Sequence, residues 1–209
     1  MTKSFWKDYE SGSELSKENS IQLRNISNTL SRYKASQPMA LFCQYSAVEE
    51  MNKAILLLFA HRKFLNKGIT DKILSDHEVK SFLFQEIYHG NSRLERNKII
   101  IDGEKLTWEN IKLLMKKYKA RHKQRFDLRN KWLYVDRDEK LKKWTTPKDF
   151  IKNFNTIKSR LIIELQSLVA FYDILKKMSF DTQIDNFQIE TKLDKNGFLE
   201  SMSIWHDEI

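Results

Sequence analysis

Apolar residues recur every three or four positions along most of this chain, which is the period of an amphipathic α-helix. The first such segment covers residues 13–35. The second begins at Pro38, ends near Gly68 and is apolar on almost every side, so we expect it to form the buried centre of a bundle. Further helical segments begin near Thr70, Thr107 and Thr146. The pattern therefore predicts an all-α bundle of about five main helices.

The helical period is broken at Leu133-Tyr134-Val135-Asp136 and the charged stretch after it, and two other regions that depart from this period predict strands. Residues 99–101 are three isoleucines followed by Asp102-Gly103, which predicts a short strand and a turn. Residues 187–193 alternate in polarity and precede Asp194-Lys195-Asn196-Gly197, a sequence typical of a type I′ turn. We therefore divide the chain into a helical domain, residues 1–178, and a small C-terminal extension, residues 179–209, with a β-hairpin as its predicted structure.

The composition excludes several classes of protein. The 209 residues include only 5 glycines and 2 prolines, too few for a turn-rich β-sandwich or for a glycine-rich phosphate loop. The longest uninterrupted apolar run of the second helix, residues 54–60, is far shorter than the roughly 20 residues that cross a bilayer, so no membrane partner is expected. Cys43 is the single cysteine, so no internal disulfide can form and a cytoplasmic protein is expected.

Positive charge is concentrated in one helix. The chain carries a net charge of +9, while the extension, residues 179–209, is acidic. Residues 112–131 hold nine lysines and arginines and one acid, Asp127. Such a segment is either a solvated helix face or a surface that binds RNA or another acidic partner. The candidate binding residues are Lys116, Lys117, Lys119, Arg121, Lys123 and Arg125.

Charged residues also interrupt the apolar second helix. Glu49 and Lys53 are four residues apart and are expected to pair, which leaves Glu50 in need of a cation. His77 and Lys80 on the third helix are the candidates for that cation. These five residues define a predicted polar groove, and they are either a structural ion-pair network or part of a functional site.

These residues also carry a resemblance. Ala47-Val48-Glu49-Glu50-Met51-Asn52-Lys53-Ala54, then His77-Glu78-Val79-Lys80, then Leu133-Tyr134-Val135-Asp136, then Trp144 with Pro147, follow one another in the chain. In order and separation they resemble the AbiV abortive-infection family, over roughly residues 15–178. The resemblance implies a HEPN-like helical bundle, a homodimer and a role in bacterial defence, in which an infected cell stops supporting phage production.

HEPN relatives are often metal-independent ribonucleases whose motif is an arginine followed, after four to six residues, by a histidine. None of the five histidines of this chain has an arginine at that distance upstream. The nearest match begins at Arg129-Asn130 and has Tyr134 in place of the histidine, and a phenol with a pKa of about 10 is a poor general base. His122 is the alternative base, on a helix face with Arg125 and Arg129. Its other interpretation is a half-buried structural histidine.

Three functions are compatible with these observations. The first is an abortive-infection protein that blocks phage production by binding RNA, a translation component or a phage protein, with a phage-encoded activator as a further hypothesis. The alternative is a ribonuclease toxin whose catalytic residues would be Arg129, Asn130 and Tyr134, or His122. The third is a scaffold unrelated to defence that binds acidic partners through the helix around Lys116-Lys117-Tyr118-Lys119. No cofactor or metal is expected, because no two histidines are four residues apart and Cys43 has no sulfur partner.

Overall fold

The described α-helices overlap the predicted helical segments, but the first begins at Lys3, ten residues before the predicted segment 13–35. A computed structural model of the chain describes residues 3–62, 65, 67–75, 92–96, 98–103, 107–109, 111–113, 116, 129–134, 136–138, 142–151, 153–177, 187–193, 195 and 199–205. The helices are α1 (Lys3–Leu30), α2 (Gln37–His61), α3 (Lys67–Ser75) and α4 (Phe154–Lys177). Short 3-10 helices, Lys34–Ser36 and Pro147–Phe150, precede α2 and α4.

α1 and α2 lie antiparallel along a seam of small side chains. Three buried α1 serines, spaced seven residues apart, donate hydrogen bonds of 2.7 Å to backbone carbonyls of α2: Ser13 to Ala54, Ser20 to Ala47 and Ser27 to Ala40. The acceptors also repeat every seven residues, in the opposite chain direction, which fixes the register of the two helices. Serine and alanine side chains are short, so the two backbones can approach closely while every buried hydroxyl of this set is satisfied.

α2 is the centre of the bundle, as its apolar composition predicts. Of its 25 residues, 18 are buried. α4 packs on it with Leu161, Leu165 and Leu168 and, further along, with Phe171, whose ring centroid lies 6.4 Å from that of Phe59. The prediction of a helical bundle with a buried second helix is confirmed.

The structure also contains more sheet than the two predicted short pieces. Strands β1 (Ser92–Glu95), β2 (Lys98–Gly103), β5 (Phe187–Leu193) and β6 (Leu199–Trp205) form one antiparallel sheet in the order β1-β2-β5-β6. The predicted strand is therefore β2, and the predicted hairpin is β5 with β6. Their pairing with each other was not predicted, because nothing local in either segment specifies a distant partner strand.

A separate two-stranded hairpin consists of β3 (Asp136–Asp138) and β4 (Lys143–Thr145). It directly precedes the start of the last helical segment. The sequence pattern predicts one continuous helix from Thr146, and this is wrong at the N-terminal end. Thr146 instead caps a single 3-10 turn, in which its N–H donates to Asp149 Oδ2 at 2.7 Å, and α4 begins at Phe154.

The C-terminal extension is joined to the preceding segment through the sheet, because strand β5 pairs with β2. The division of the chain at residue 178 stays a prediction. Among the helices that the structure describes, none combines the length and the apolar character that a bilayer crossing requires.

Candidate functional site

The charged residues of α2 face two different neighbours. Glu50 pairs with Lys53 of the same helix, with 3.6 Å between Oε2 and Nζ. Glu49 instead pairs with Arg129, whose Nε lies 3.3 Å from Glu49 Oε2. The predicted Glu49–Lys53 pair is therefore wrong. Consecutive helical residues point about 100° apart, which is consistent with the different partners of Glu49 and Glu50.

Arg129 is held by an aromatic ring as well as by the carboxylate. Its guanidinium carbon lies 5.1 Å from the centroid of Phe42, a cation–π arrangement. The Arg129 side chain is only 25% exposed and that of Glu49 only 18%, so water screens their attraction less than it would on an open surface. Phe42 and Glu49 are seven residues apart on α2, which places them on one helix face.

Trp132 extends this contact along the same face of α2. It is 3% exposed, and its ring packs edge-on against Tyr45 with centroids 6.3 Å apart. Phe42, Tyr45 and Glu49 therefore form a single stripe, and residues 129–132 lie along it. We call this arrangement the α2 anchor: Phe42, Tyr45, Glu49, Arg129 and Trp132.

Asn130 and Tyr134, two further predicted catalytic residues, lie beside the α2 anchor. Asn130 is partly buried, and its carbonyl accepts a hydrogen bond of 3.1 Å from the Tyr134 N–H, which closes a helical turn. The Tyr134 side chain is 63% exposed. Arg129 is thus packed against α2, while the residue in the histidine position of the motif projects into solvent.

Glu50 and Lys53 belong to a different surface. They line a shallow groove of about 350 Å³ between α1 and α2, together with Gly12, Leu15, Ser16, Asn19 and Leu57. Of the three α2 members of the predicted polar groove, Glu50 and Lys53 line this groove and Glu49 pairs elsewhere, and the five-residue polar groove itself stays a prediction. His77 and Lys80, the other two predicted members, lie outside the described residues.

The basic segment is described only in part. Lys112, Lys116 and Lys131 are exposed, and Lys112 Nζ lies 5.8 Å from the ring centroid of Trp108. The remaining predicted members of this surface lie outside the described residues: Lys117, Lys119, Arg121, Lys123 and Arg125. His122, the alternative catalytic base, also lies outside them. Arg129 differs from the three exposed lysines because its guanidinium is partly buried against α2.

The side chains suited to metal or thiol chemistry are dispersed or shielded. Across the described ranges, no three histidine, cysteine or carboxylate side chains come together in a metal-binding group. Cys43 is buried, and burial raises the pKa of its thiol, which keeps it protonated and a weak nucleophile. His61 lies at the end of α2, with Nε2 3.6 Å from Glu10 Oε2.

Sequence reasoning missed three members of the α2 anchor: Phe42, Tyr45 and Trp132. The signal available was the spacing of Phe42, Tyr45 and Glu49, which puts a carboxylate on an aromatic face of α2. It does not identify the cation that meets this face, because Arg129 is distant in the chain.

These features define a class of protein: an α-helical, HEPN-like bundle with a carboxylate–arginine pair packed at its central helix. The family model of AbiV, one of the HEPN families, matches residues 8–161, and the chain belongs to the AbiV family. The matched range begins within α1, includes α2, α3 and the α2 anchor, and ends within α4. Neither the curated proteins nor the solved structures include a significant match. The resemblance inferred from the motifs is thereby confirmed.

Proposed function

We propose that this AbiV-family protein blocks phage production in the infected cell by binding RNA, without cutting it. Membership of the AbiV family supports a role in abortive infection. The observation that carries the choice of binding over cleavage is the pairing of Arg129 with Glu49 at 3.3 Å. RNA is the partner that fits a segment with nine basic residues and one acid.

A HEPN-type cleavage needs an imidazole that moves the 2′-hydroxyl proton and a cation that stabilises the charge on phosphorus. Arg129 is the arginine nearest to that motif, and the negative charge of Glu49 beside its guanidinium opposes the approach of a phosphate. Tyr134 takes the place of the imidazole, and its side chain is exposed to solvent. Arg129 therefore serves as a structural cation in this proposal.

RNA binding is supported by charges that are accessible. Lys112, Lys116 and Lys131 are exposed, so a phosphate can approach them without entering the core of the bundle. Binding by such residues releases counterions, so affinity should fall steeply as salt rises. A translation component that contains RNA would present the same phosphates.

The direct test measures RNA binding and RNA length in one sample. Purified protein is titrated into labelled total RNA in EDTA at several salt concentrations, and the RNA is then sized on a denaturing gel. We expect salt-dependent binding and RNA of unchanged length. Replacing Lys116 and Lys117 with Gln should weaken binding and lower the salt slope by about one unit for each phosphate that the variant no longer neutralises. The matched control, with the same loss of charge, replaces the exposed Lys34 and Lys177.

Two results would overturn this proposal. RNA shortening that Arg129→Ala abolishes would establish the ribonuclease instead. Failure of the wild-type protein to bind RNA at physiological salt would exclude RNA as the partner and direct attention to a phage protein. In infected cells, the Lys116→Gln, Lys117→Gln variant should lose protection against phage in a plaque assay, whereas the Lys34→Gln, Lys177→Gln control should keep it.

We further propose that the protein acts as a homodimer and that a phage-encoded product activates it. The dimer is supported by the dimeric state of HEPN relatives and by exposed apolar side chains such as Leu15 and Ile26 on α1. Light scattering of the purified protein tests the dimer. Growth of uninfected cells that express the protein tests the activator, because immediate arrest without phage would contradict it.

A further inference from the structure

Two large aromatic side chains lie in solvent near the β3–β4 hairpin. Trp144 is 71% exposed and Tyr134 is 63% exposed. Burial of a large aromatic side chain ordinarily stabilises a fold by a few kcal/mol. Two aromatic side chains exposed to water give up this stabilisation, which indicates a functional role. Within the described part of the chain, neither ring has a ring contact or a hydrogen bond from its side chain.

The strand register places the two aromatic residues close together. Arg137 on β3 is paired directly with Trp144 on β4, and Asp136 is paired with Thr145. Tyr134 precedes Arg137 by three residues, a separation of about 10 Å at most along an extended chain. The backbone positions of Tyr134 and Trp144 are therefore separated by no more than this length plus the spacing between two paired strands.

The direction of the Trp144 side chain is set by the strand. Thr145, the next residue, is buried, and successive strand residues point to opposite faces, so Trp144 must point outward. Lys142 and Lys143 beside it are exposed, as is Lys131 near Tyr134. The exposed aromatic rings are thus accompanied by exposed cations.

The α2 anchor holds the Tyr134 end of this surface in place. Arg129 and Trp132 are packed against α2, and Tyr134 follows them within one turn, closed by its hydrogen bond to the Asn130 carbonyl. A binding surface fixed to the central helix of a bundle loses little conformational freedom when a ligand binds.

We propose that Tyr134 and Trp144 form a stacking platform for unpaired bases of single-stranded RNA, with Lys131, Lys142 and Lys143 placed to meet its phosphates. This inference rests on the proposed RNA binding and names the kind of RNA. Exposed rings can stack only on bases that are not already stacked in a duplex, and bases of any identity present a face to them. Lysines alone would bind duplex and single strand alike, so the two rings are what selects single strands.

The test compares two RNA probes by fluorescence anisotropy: a labelled 12-nucleotide poly(U) and a 12-base-pair duplex. Trp144→Ala and Tyr134→Ala should each weaken poly(U) binding about five- to 100-fold, as loss of one stacked base does, with the salt slope and duplex binding unchanged. Trp144→Phe and Tyr134→Phe should retain most of the poly(U) affinity, because the ring remains. Tyr33→Ala, at another exposed aromatic side chain, is the matched control and should bind as wild type.

The outcomes separate this inference from the proposed function. If wild type binds poly(U) and Lys116→Gln weakens it while Trp144→Ala does not, the platform is wrong and RNA binding stands. If wild type binds neither probe, the proposed function itself fails. If Trp144→Ala loses phage protection but keeps poly(U) affinity, the aromatic pair meets a protein partner, and the platform is again overturned.

Discussion

Removing the Glu49–Arg129 pair should destabilise the fold, and the structure gives the size of the effect. At 3.3 Å, two unit charges attract by about 1.3 kcal/mol at the dielectric constant of water and by about 5 kcal/mol at an effective dielectric constant of 20. The pair is neither in open water nor fully enclosed, because 25% of the Arg129 side chain and 18% of the Glu49 side chain remain exposed. Partial loss of hydration offsets some of the gain. We expect a coupling energy of about 2 kcal/mol.

The assay is a double-mutant cycle in urea. Wild type, Glu49→Gln, Arg129→Met and the double variant are unfolded by urea and followed by circular dichroism, and the coupling energy is the non-additive part of the four free energies of unfolding. Glutamine keeps the shape of glutamate, and methionine keeps the packing of the arginine stem against Phe42. Each single variant should unfold at a urea concentration roughly 1 M lower than wild type, and the double variant should lose less than the sum.

A second pair on the same helix provides the control. Glu50 and Lys53 are separated by 3.6 Å, and their side chains are 25% and 37% exposed, so the same cycle should give a coupling below about 1 kcal/mol. If the Glu49–Arg129 coupling is no larger than that of Glu50 and Lys53, Arg129 is not a structural cation. The guanidinium would then be available to phosphate, and the ribonuclease would regain its main candidate.

Three further predictions concern stability. Gln44 is fully buried, and neither polar atom of its amide has a hydrogen-bond partner in the described structure, so Gln44→Met should raise the free energy of unfolding by about 1–2 kcal/mol; a loss in urea unfolding would contradict this. Ser20→Ala removes a buried hydrogen bond and should cost about 1 kcal/mol, whereas Ser20→Leu should cost more because it separates α1 from α2; equal costs would show that the seam is not tight. Burial, followed by the charge of Asp71, raises the pKa of Tyr9 from 10.0 to about 12. The contribution of Tyr9 to the free energy of unfolding should therefore be fully present below pH 10 and fall as the pH approaches 12. Tyr9→Phe should remove that fall, and an unchanged pH profile would refute the assignment.

The parts of the fold that were predicted are those with a local cause. The apolar surface of α2 follows from its own residues, and Asp194-Lys195-Asn196-Gly197 indicates a hairpin by itself. The pairing of β2 with β5 has no such signal, since any two apolar strands could pair. The contact of Ser13, Ser20 and Ser27 with α2 did have a sequence signal, namely the seven-residue spacing of the three serines. A search for apolar periodicity does not detect this signal, because serine is counted as a polar residue.

The candidate site was predicted less well, for a related reason. Burial inside an apolar helix correctly indicated that Glu49 and Glu50 need partners. Spacing along the helix then favoured Lys53 for Glu49, although Lys53 is also three residues from Glu50 and takes that partner instead. The choice between two cations for Glu49 depends on where residues 129–132 pack, which only tertiary structure decides.

The contact between Arg129 and Glu49 connects the fold to the function. Together with Trp132, Arg129 fixes residues 129–134 to α2, so the segment that carries the exposed Tyr134 ring is held in place. A phosphate that approached Arg129 for cleavage would meet the negative charge of Glu49, whose Oε2 lies 3.3 Å from Arg129 Nε. Stacking on Tyr134 and Trp144 leaves that contact unchanged, so the packed geometry of Arg129 favours stacking over cleavage.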